Sequence, residues 1–537
     1  MKKRAVWEDF AQKTTAHGLA FLVSGSIVRR AIWLIAVLFM WAVMIWQVIA
    51  LIQQYLAFPS TFSINRVAVP SVSYPALTLC NQNPVRWSCI ATSFKNIKMV
   101  AAVTEWTEAD YFERAVEKVM FDDQPLLDSC SHKILNEMEI YCYYAGKPCN
   151  ETEVQRKEWF HGKYGRCATY TLSKEAVLPA TGSKLELRHF IQEAEHSWFM
   201  GKISGLQVQV HDSSQMPFPE DNGFPVSVGD KATIAATRYE KHTLGLPYTS
   251  CIQPHEKSEL NLYAGINNTV DGQVKWYSQY ACFRTCVQDI YFRLSGCVEA
   301  HAMNYRLALE RYGPSVRDCF PERPGDLENV TTVISDECPK KCEEACHYRN
   351  YDLFLSFANF PGRVPALFET QKIVQTNRLV AKYFLRHKVM QTLVDMYTKN
   401  SKTKTLAGFM ADIINKTGYN DIREQSEEQT SSNDDPNRLE LLNDMAGQIV
   451  NMRSYALSIL IGLAGTFMQS FYQNNFVDLE LYIKIINVNY LNETADMATW
   501  DVASGVGGIF GLFVGMSMLT FLEIALFIKD FFCGCGK

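Results

Sequence analysis

Two stretches of this chain are far more apolar than the rest, and the alternation between them predicts most of its elements. Residues 31–52, AIWLIAVLFMWAVMIWQVIALI, hold Gln47 as their only strongly polar residue, and a second apolar run extends from Val502 to Ile528. Each is longer than the ~20 residues that carry a helix across ~30 Å of hydrocarbon. The first is too long for a signal-peptide core and lacks a small-residue cleavage site, so it reads as a membrane helix. A third run, YALSILIGLAGTF (455–467), is too short to span and reads as a buried helix, with a third membrane contact as the alternative.

The intervening region mixes both periods. SINRVAVPSVSYPALTLC (63–80) alternates β-branched and small residues and predicts strand, turn, strand. Residues 96–135 shift to helical spacing. Strands return over 167–210, where KISGLQVQVH (202–211) has the alternation of a half-buried strand. Tyr277–Phe292 is helical, with Cys282 and Cys286 one turn apart, and Cys338, Cys342 and Cys346 repeat that spacing. Two such rows suggest a rod stapled by a ladder of disulfides. Residues 366–400 read as an amphipathic helix, 421–438 as a polar mobile loop, and 475–491 as a strand running into the second apolar segment.

Charge orients the chain. Lys2, Lys3, Arg4, Lys13, Arg29 and Arg30 precede the first span, which places the N-terminus on the cytosolic side. The expected layout is a cytoplasmic segment 1–30, a span 31–52, an extracellular domain 53–500, a second span 501–528 and a cytoplasmic tail 529–537. The fold class is that of an α+β membrane protein, a disulfide-rich β-core with peripheral helices on two transmembrane helices, located at the plasma membrane. Fourteen of the sixteen cysteines fall in the middle region, an even number suited to an oxidising compartment. The sequons at Asn150, Asn267, Asn329, Asn415 and Asn492 fall there too. Cys533 and Cys535 follow the second span and read as free cytosolic thiols, with palmitoylation the alternative. A net charge of −5 gives no footprint for nucleic acid. The extracellular context and the lack of a paired CxxC argue against zinc, no nucleophile–base constellation suggests an enzyme, and no cofactor is expected.

The second span carries the chemistry. Gly507, Gly511 and Gly515 form a small-xxx-small series that lets helices approach closely. Glu523 lies about 7.5 Å of helix from the end of the run. An intramembrane carboxylate usually faces a bundle interior or water, and interfacial snorkelling is the bland alternative. On a straight helix Gly507 and Glu523 point about 160° apart. Both line one axis only if the helix supercoils or breaks, and Gly515 and Ser517 are where a break is easiest. Backbone carbonyls freed there could coordinate a cation.

With these residues in view, the chain resembles the degenerin/epithelial sodium channel/acid-sensing ion channel superfamily. GLFVGMSMLTFLE (511–523) resembles its second-span signature, His17–Gly18 its N-terminal His-Gly pair, and YPALTLCNQNPVR (74–86) its post-membrane motif. YSQYACFRTCVQDIYFRLSGC (277–297) and CPKKCEEACHY (338–348) resemble its cysteine-rich thumb. The resemblance implies a homo- or heterotrimer of related subunits in membrane lipid, each giving its second span to a sodium-preferring, amiloride-sensitive pore. It implies that Gly515, Met516 and Ser517 are the selectivity tract and that Gly507, Gly511 and Glu523 line the pore. His17 and Gly18 would lie in a re-entrant gating segment. The ectodomain would be hand-like, with finger, thumb, knuckle and palm. By analogy the pairs are Cys80–Cys167, Cys142–Cys149, Cys251–Cys346, Cys282–Cys342, Cys286–Cys338 and Cys297–Cys319; Cys89 and Cys130 remain and could pair with each other, and the sequence alone does not fix the connectivity.

Three features depart from the family pattern. Met516 stands where a small residue is usual, so its side chain must turn from the axis or narrow the pore. Gly505 stands where the pattern has an Asp, with Asp501 one turn higher. Residues 366–475 are longer than in acid-sensing channels. Among gating stimuli, protons, a peptide or another extracellular ligand stay open, since His211, His242, His255, His301, His347 and His387 are scattered. A two-span scavenger-type receptor shares the topology but leaves the Gly-x-Ser tract and Glu523 unexplained. An ATP-gated trimeric channel calls for a membrane-proximal lysine cluster, and residues 53–75 offer only Arg66.

Overall fold

The computed structural model describes residues 2–89, 126, 129–177, 179–196, 203–253, 277–299, 305–319, 328–362, 366, 369, 372–373, 376–377, 379–380, 383 and 469–533. The chain divides into two units. One comprises Met1–Asn65, His242–Cys251 and Leu491–Lys537, the other Arg66–Lys241 and Ile252–Tyr490.

The second unit is built on two sheets. The larger has the order β15 (His347–Asn359), β12 (Asp230–His242), β16 (Phe476–Ala495), β9 (Leu185–Phe190), β4 (Glu139–Tyr144) and β5 (Lys147–Pro148), with β1 (Ser60–Ala68) also paired to β16. The smaller runs β11 (Phe224–Ser227), β10 (Gly205–His211), β3 (Ala76–Asn81), β7 (Gly165–Leu172) and β6 (Val154–His161). Two short pairs complete the set, β2 (Val72–Ser73) with β8 (Glu175–Ala176), and β13 (Cys297–Val298) with β14 (Arg317–Asp318). Alternate residues from both sheets form one core: Leu77, Leu79 and Val208 from the smaller, Leu187, Ile234 and Leu479 from the larger. The period of two seen in the sequence is the period of this inner face.

The strand expected to be half-buried is buried throughout. β10 is bonded on both sides, to β3 and β11, and every residue from Gly205 to His211 is buried. Two of its polar positions reach partners instead of water: Gln207 Nε2 donates to Pro219 O at 2.7 Å, and His211 Nε2 meets Thr78 Oγ1 at 2.8 Å. Alternation marked two different faces, and neither of them meets solvent.

Between β9 and β16 sits Arg188. Its guanidinium grips both Asp478 oxygens, at 2.7 and 2.8 Å, and a Glu369 oxygen at 2.6 Å, while Tyr141 and Tyr472 flank it. A buried charge is tolerable only with this degree of pairing.

The predicted rod forms from α5 (Gln279–Ser295) and α7 (Glu328–Lys341), numbered after α4 (Pro219–Asn222) and before and after α6 (Tyr305–Tyr312). Ser278 Oγ caps α5 by accepting from Ala281 N at 3.1 Å, and Gly296, at φ 66°, ends it. Cys282–Cys342 and Cys286–Cys338 are the rungs, and Cys297–Cys319 closes the next loop. Cys342 and Cys346 lie beyond α7 rather than on it, because that helix stops at Lys341. Cys80–Cys167, Cys89–Cys130 and Cys142–Cys149 are also bonded, and Cys251 and Cys346 are both disulfide-bonded.

Nearly all of the 96–135 helix, most of 366–400, the 421–438 loop and the 455–467 run lie outside the described residues, as do Asn267, Asn415, Cys535, His255, His301 and His387. Asn150 is exposed beside β5, Asn329 lies in α7, and Asn492 is half-buried in β16.

The first unit holds α1 (Lys2–Lys13), α2 (Leu19–Val23), α3 (Ile27–Leu56), α8 (Thr499–Val514) and α9 (Met518–Cys533). By length and composition α3 is able to cross a membrane, and it extends the predicted helix by a turn at each end. α8 and α9 pass the same test together, as a pair bent by 69°.

Candidate functional site

The helix breaks where the sequence has Gly515-Met516-Ser517. α8 stops because Gly515 adopts φ 67°, a left-handed conformation open to glycine, and its N–H still reaches Gly511 O at 3.1 Å. α9 restarts because Ser517 caps it. Thr520 N donates to Ser517 O at 3.0 Å, and Thr520 Oγ1 reaches back to accept from Ser517 N at 3.0 Å. This is the reciprocal half of a capping box, with Thr in the place of Glu.

The chain's N-terminal segment folds onto this break. His17 N donates to Val514 O at 2.7 Å, taking up a carbonyl that the broken helix leaves free. A Cβ on Gly515 would overlap the His17 imidazole, so this position excludes side chains twice over, by φ and by space. Gly18 has φ 88°, and a Cβ there would come within 2.7 Å of Val37 Cγ2 on α3. The His-Gly pair thus fits a ring over one glycine and a backbone against a helix.

Glu523 fixes the segment from below. Its Oε2 accepts from Thr14 Oγ1 and Thr15 N, each at 3.0 Å, and from Thr15 Oγ1 at 3.3 Å. Thr15 Oγ1 also lies 2.5 Å from Thr520 Oγ1, which joins the carboxylate to the cap at Ser517. One turn further on, Phe527 stacks on Phe10 at 4.3 Å and meets Trp7 edge-on at 6.0 Å. Thr14, Thr15 and Thr520 were not singled out from the sequence. Their only signal is a Thr-Thr pair just ahead of His-Gly and a Thr three residues before Glu523.

Met516 turns inward. It is 4% exposed and packs with Ala16, Met44 and Val514, beside Trp41 and Leu19. Ser517 is exposed, and so are Gly507 and Gly511, around which a Cβ would meet nothing within 4 Å. The glycine against α3 is Gly505: a Cβ there would come within 2.9 Å of Leu51 Cδ2. α8 therefore uses its glycines for different purposes, Gly505 for packing against α3 and Gly507 with Gly511 on a face left open.

At the other end of these helices Glu493, 4% exposed, accepts from Ser60 Oγ and Thr249 Oγ1 at 2.5 Å and from Leu244 N at 2.9 Å. Phe58, at φ 49°, packs edge-on against Tyr248 at 5.5 Å. These contacts clasp the 242–251 loop to the strands that join α3 and α8. Among the described residues no cluster of three or more His, Cys, Asp or Glu is arranged to hold a metal.

The sequence profile described as "Amiloride-sensitive sodium channel" matches residues 10–418 and 420–527. The chain is 21% identical over 455 residues to acid-sensing ion channel 1A of Danio rerio, covering 76% of this chain and 83% of that protein. It is 22% identical over 438 residues to the bile acid-sensitive ion channel of Homo sapiens, covering 76% and 81%. Against acid-sensing ion channel 4-B of Danio rerio it is 23% identical over 427 residues, covering 76% and 72%.

Proposed function

The chain belongs to the amiloride-sensitive sodium channel family, and from that premise we propose that it is a subunit of a trimeric, amiloride-sensitive sodium channel of the plasma membrane. Both termini are cytoplasmic, α3 and the α8–α9 pair are the two spans, and the large disulfide-rich region is extracellular. The observation that carries this reading is the helix break at Gly515–Ser517, held open by the N-terminal segment.

A helix in lipid satisfies its own backbone, so a break is tolerable only where protein or an aqueous pathway takes up the freed groups. Here His17 N takes one carbonyl, and three copies of the tract bring the rest to a common axis, where they replace the hydration shell of Na⁺. Ser517 adds an exposed hydroxyl. Met516, buried against Met44, leaves the axis clear. Gly507 and Gly511, with open space around them, line the pathway ahead of the tract, and their small size lets neighbouring copies approach the axis closely. Glu523 keeps His17 and Gly18 under the tract through Thr14 and Thr15, so that a movement of the N-terminal segment changes the width of the pathway.

The stimulus acts on the extracellular region and reaches the spans through the 242–251 loop. Protons, a peptide or another ligand can supply it, and three buried groups are set apart from a response to mild acid. Burial holds His189 at about 3, and burial with the nearby Arg86 does the same to His132. Burial alone would raise Glu220, but His161 and Arg284 hold it at about 2. None of the three changes charge in mild acid.

The test is whole-cell current from cells expressing this chain alone, with sodium replaced by an impermeant cation and amiloride added at neutral and then acidic pH. A sodium-carried, amiloride-sensitive current is expected once the stimulus is present. Cells with the protein confirmed at the surface, and silent alone and with each related subunit and candidate ligand, would favour a receptor without a pore.

A further inference from the structure

Against the disulfide rod, within the second unit, lies a cavity of about 820 Å³ that the conduction pathway does not use. Its size falls in the range of sites that enclose a drug-sized molecule, ~300–1,000 Å³. Residues of β10, β12 and β15 line one wall, and α5 with the chain just after α7 lines the other. Six rings, Phe218, Tyr239, Tyr280, Phe283, Tyr348 and Tyr351, supply flat apolar surface.

The polar groups on the wall define what fits. Among the described residues Lys241 and Glu344 are the only lining residues of permanent charge, and they pair with each other. His211 has both ring nitrogens engaged, by Thr78 Oγ1 and Asp212 O. Gln209 differs. It lines the cavity, is 4% exposed, and its Oε1 accepts no hydrogen bond among the described residues. A buried acceptor left unmade is costly, and such groups usually mark a missing partner. A carboxamide asks for an uncharged donor, and a wall whose charges cancel offers no counterion.

We propose that this cavity is a binding site for a neutral aromatic or alicyclic small molecule that donates one O–H or N–H to Gln209 Oε1. The bound molecule touches the rod on one side and the sheets on the other, so it braces one against the other. The proposal concerns binding and stands apart from conduction.

The experiment uses the full chain in lipid nanodiscs and equilibrium dialysis against empty nanodiscs. The probes are 2-naphthol, uncharged at neutral pH, and 2-methoxynaphthalene, which lacks the donor. Saturable excess binding is expected, with 2-naphthol favoured by about fivefold, the worth of one hydrogen bond. Gln209→Leu should bring the two probes to parity, and Phe283→Ala should weaken both alike. Equal affinities in the unaltered chain, a preference that survives Gln209→Leu, or no saturable excess over empty discs would each overturn the site. If Gln209→Leu does not fold, Phe283→Ala decides, and unchanged binding of both probes there overturns it.

Discussion

Gly515 is the most constrained residue of the candidate pathway, because its φ and its contact with His17 each exclude a side chain. A left-handed conformation alone costs an L-residue about 1–2 kcal/mol, and displacing the imidazole adds to that. Gly515→Ala is therefore expected to reduce sodium current at least tenfold at equal surface expression, as read by patch clamp with surface biotinylation. Thr15→Val removes the hydroxyl that joins Glu523 to Thr520 but keeps the backbone N–H. It should shift gating, and its effect should not add to that of Glu523→Gln in a double-mutant cycle. Full additivity would show that the threonine and the carboxylate act separately. Ser517→Cys, on an exposed position, should become blockable by a pore-accessible thiol reagent, and full current after exhaustive treatment would remove Ser517 from the pathway. At this scale Gly515 and Glu523 were legible as residues out of keeping with a plain anchor, while His17 and Gly18 came into view only through the family resemblance. The threonines that join them were not legible, since a hydrogen bond spanning 508 positions leaves no local mark in a single sequence.

Among the elements, the rod was readable because cysteines one turn apart are a local pattern, and a local pattern survives folding. The burial of β10 was not readable. Whether a strand is central or at an edge depends on its partners, here β11, the next strand along, and β3, far away in sequence. The break between α8 and α9 lay in between: glycine and serine marked where it was easiest, while the direction and the 69° bend came from packing. The pairing of β9 with β16 carries a further consequence. Arg188 and Asp478 face each other across that pair, so removing one leaves the other as an unpaired buried charge. Arg188→Ala should destabilise the domain by about 3–5 kcal/mol, whereas Arg188→Ala combined with Asp478→Ala should cost less than the sum. Thermal unfolding of the purified protein measures both.

For the molecule as a whole, acid should loosen the fold well before it titrates the buried groups themselves. His132 and His189 stay neutral in the folded state to about 3, while in the unfolded chain they protonate near 6.5. Between those values the unfolded state binds more protons, so stability falls as pH falls, by about 1.4 kcal/mol per pH unit for each histidine. Glu220 adds in the same direction lower down, its ion-pair contribution being lost between its ordinary range and about 2. Unfolding temperature measured from pH 7 to pH 5 should therefore decline, and His189→Gln should make the decline shallower. An unchanged slope would mean that His189 reaches a proton in the native state.

The contact of Thr15 with Glu523 also sets an order of events during synthesis. At ~5–20 residues per second, the 508 positions between them take the ribosome about 25–100 s to traverse. Thr14 to Gly18 must wait that long for the carboxylate, the cap and the Val514 carbonyl that hold them. The tract is thus completed only once the chain has been made through Glu523, and a chain truncated before that residue, however well its sheets have folded, cannot assemble it.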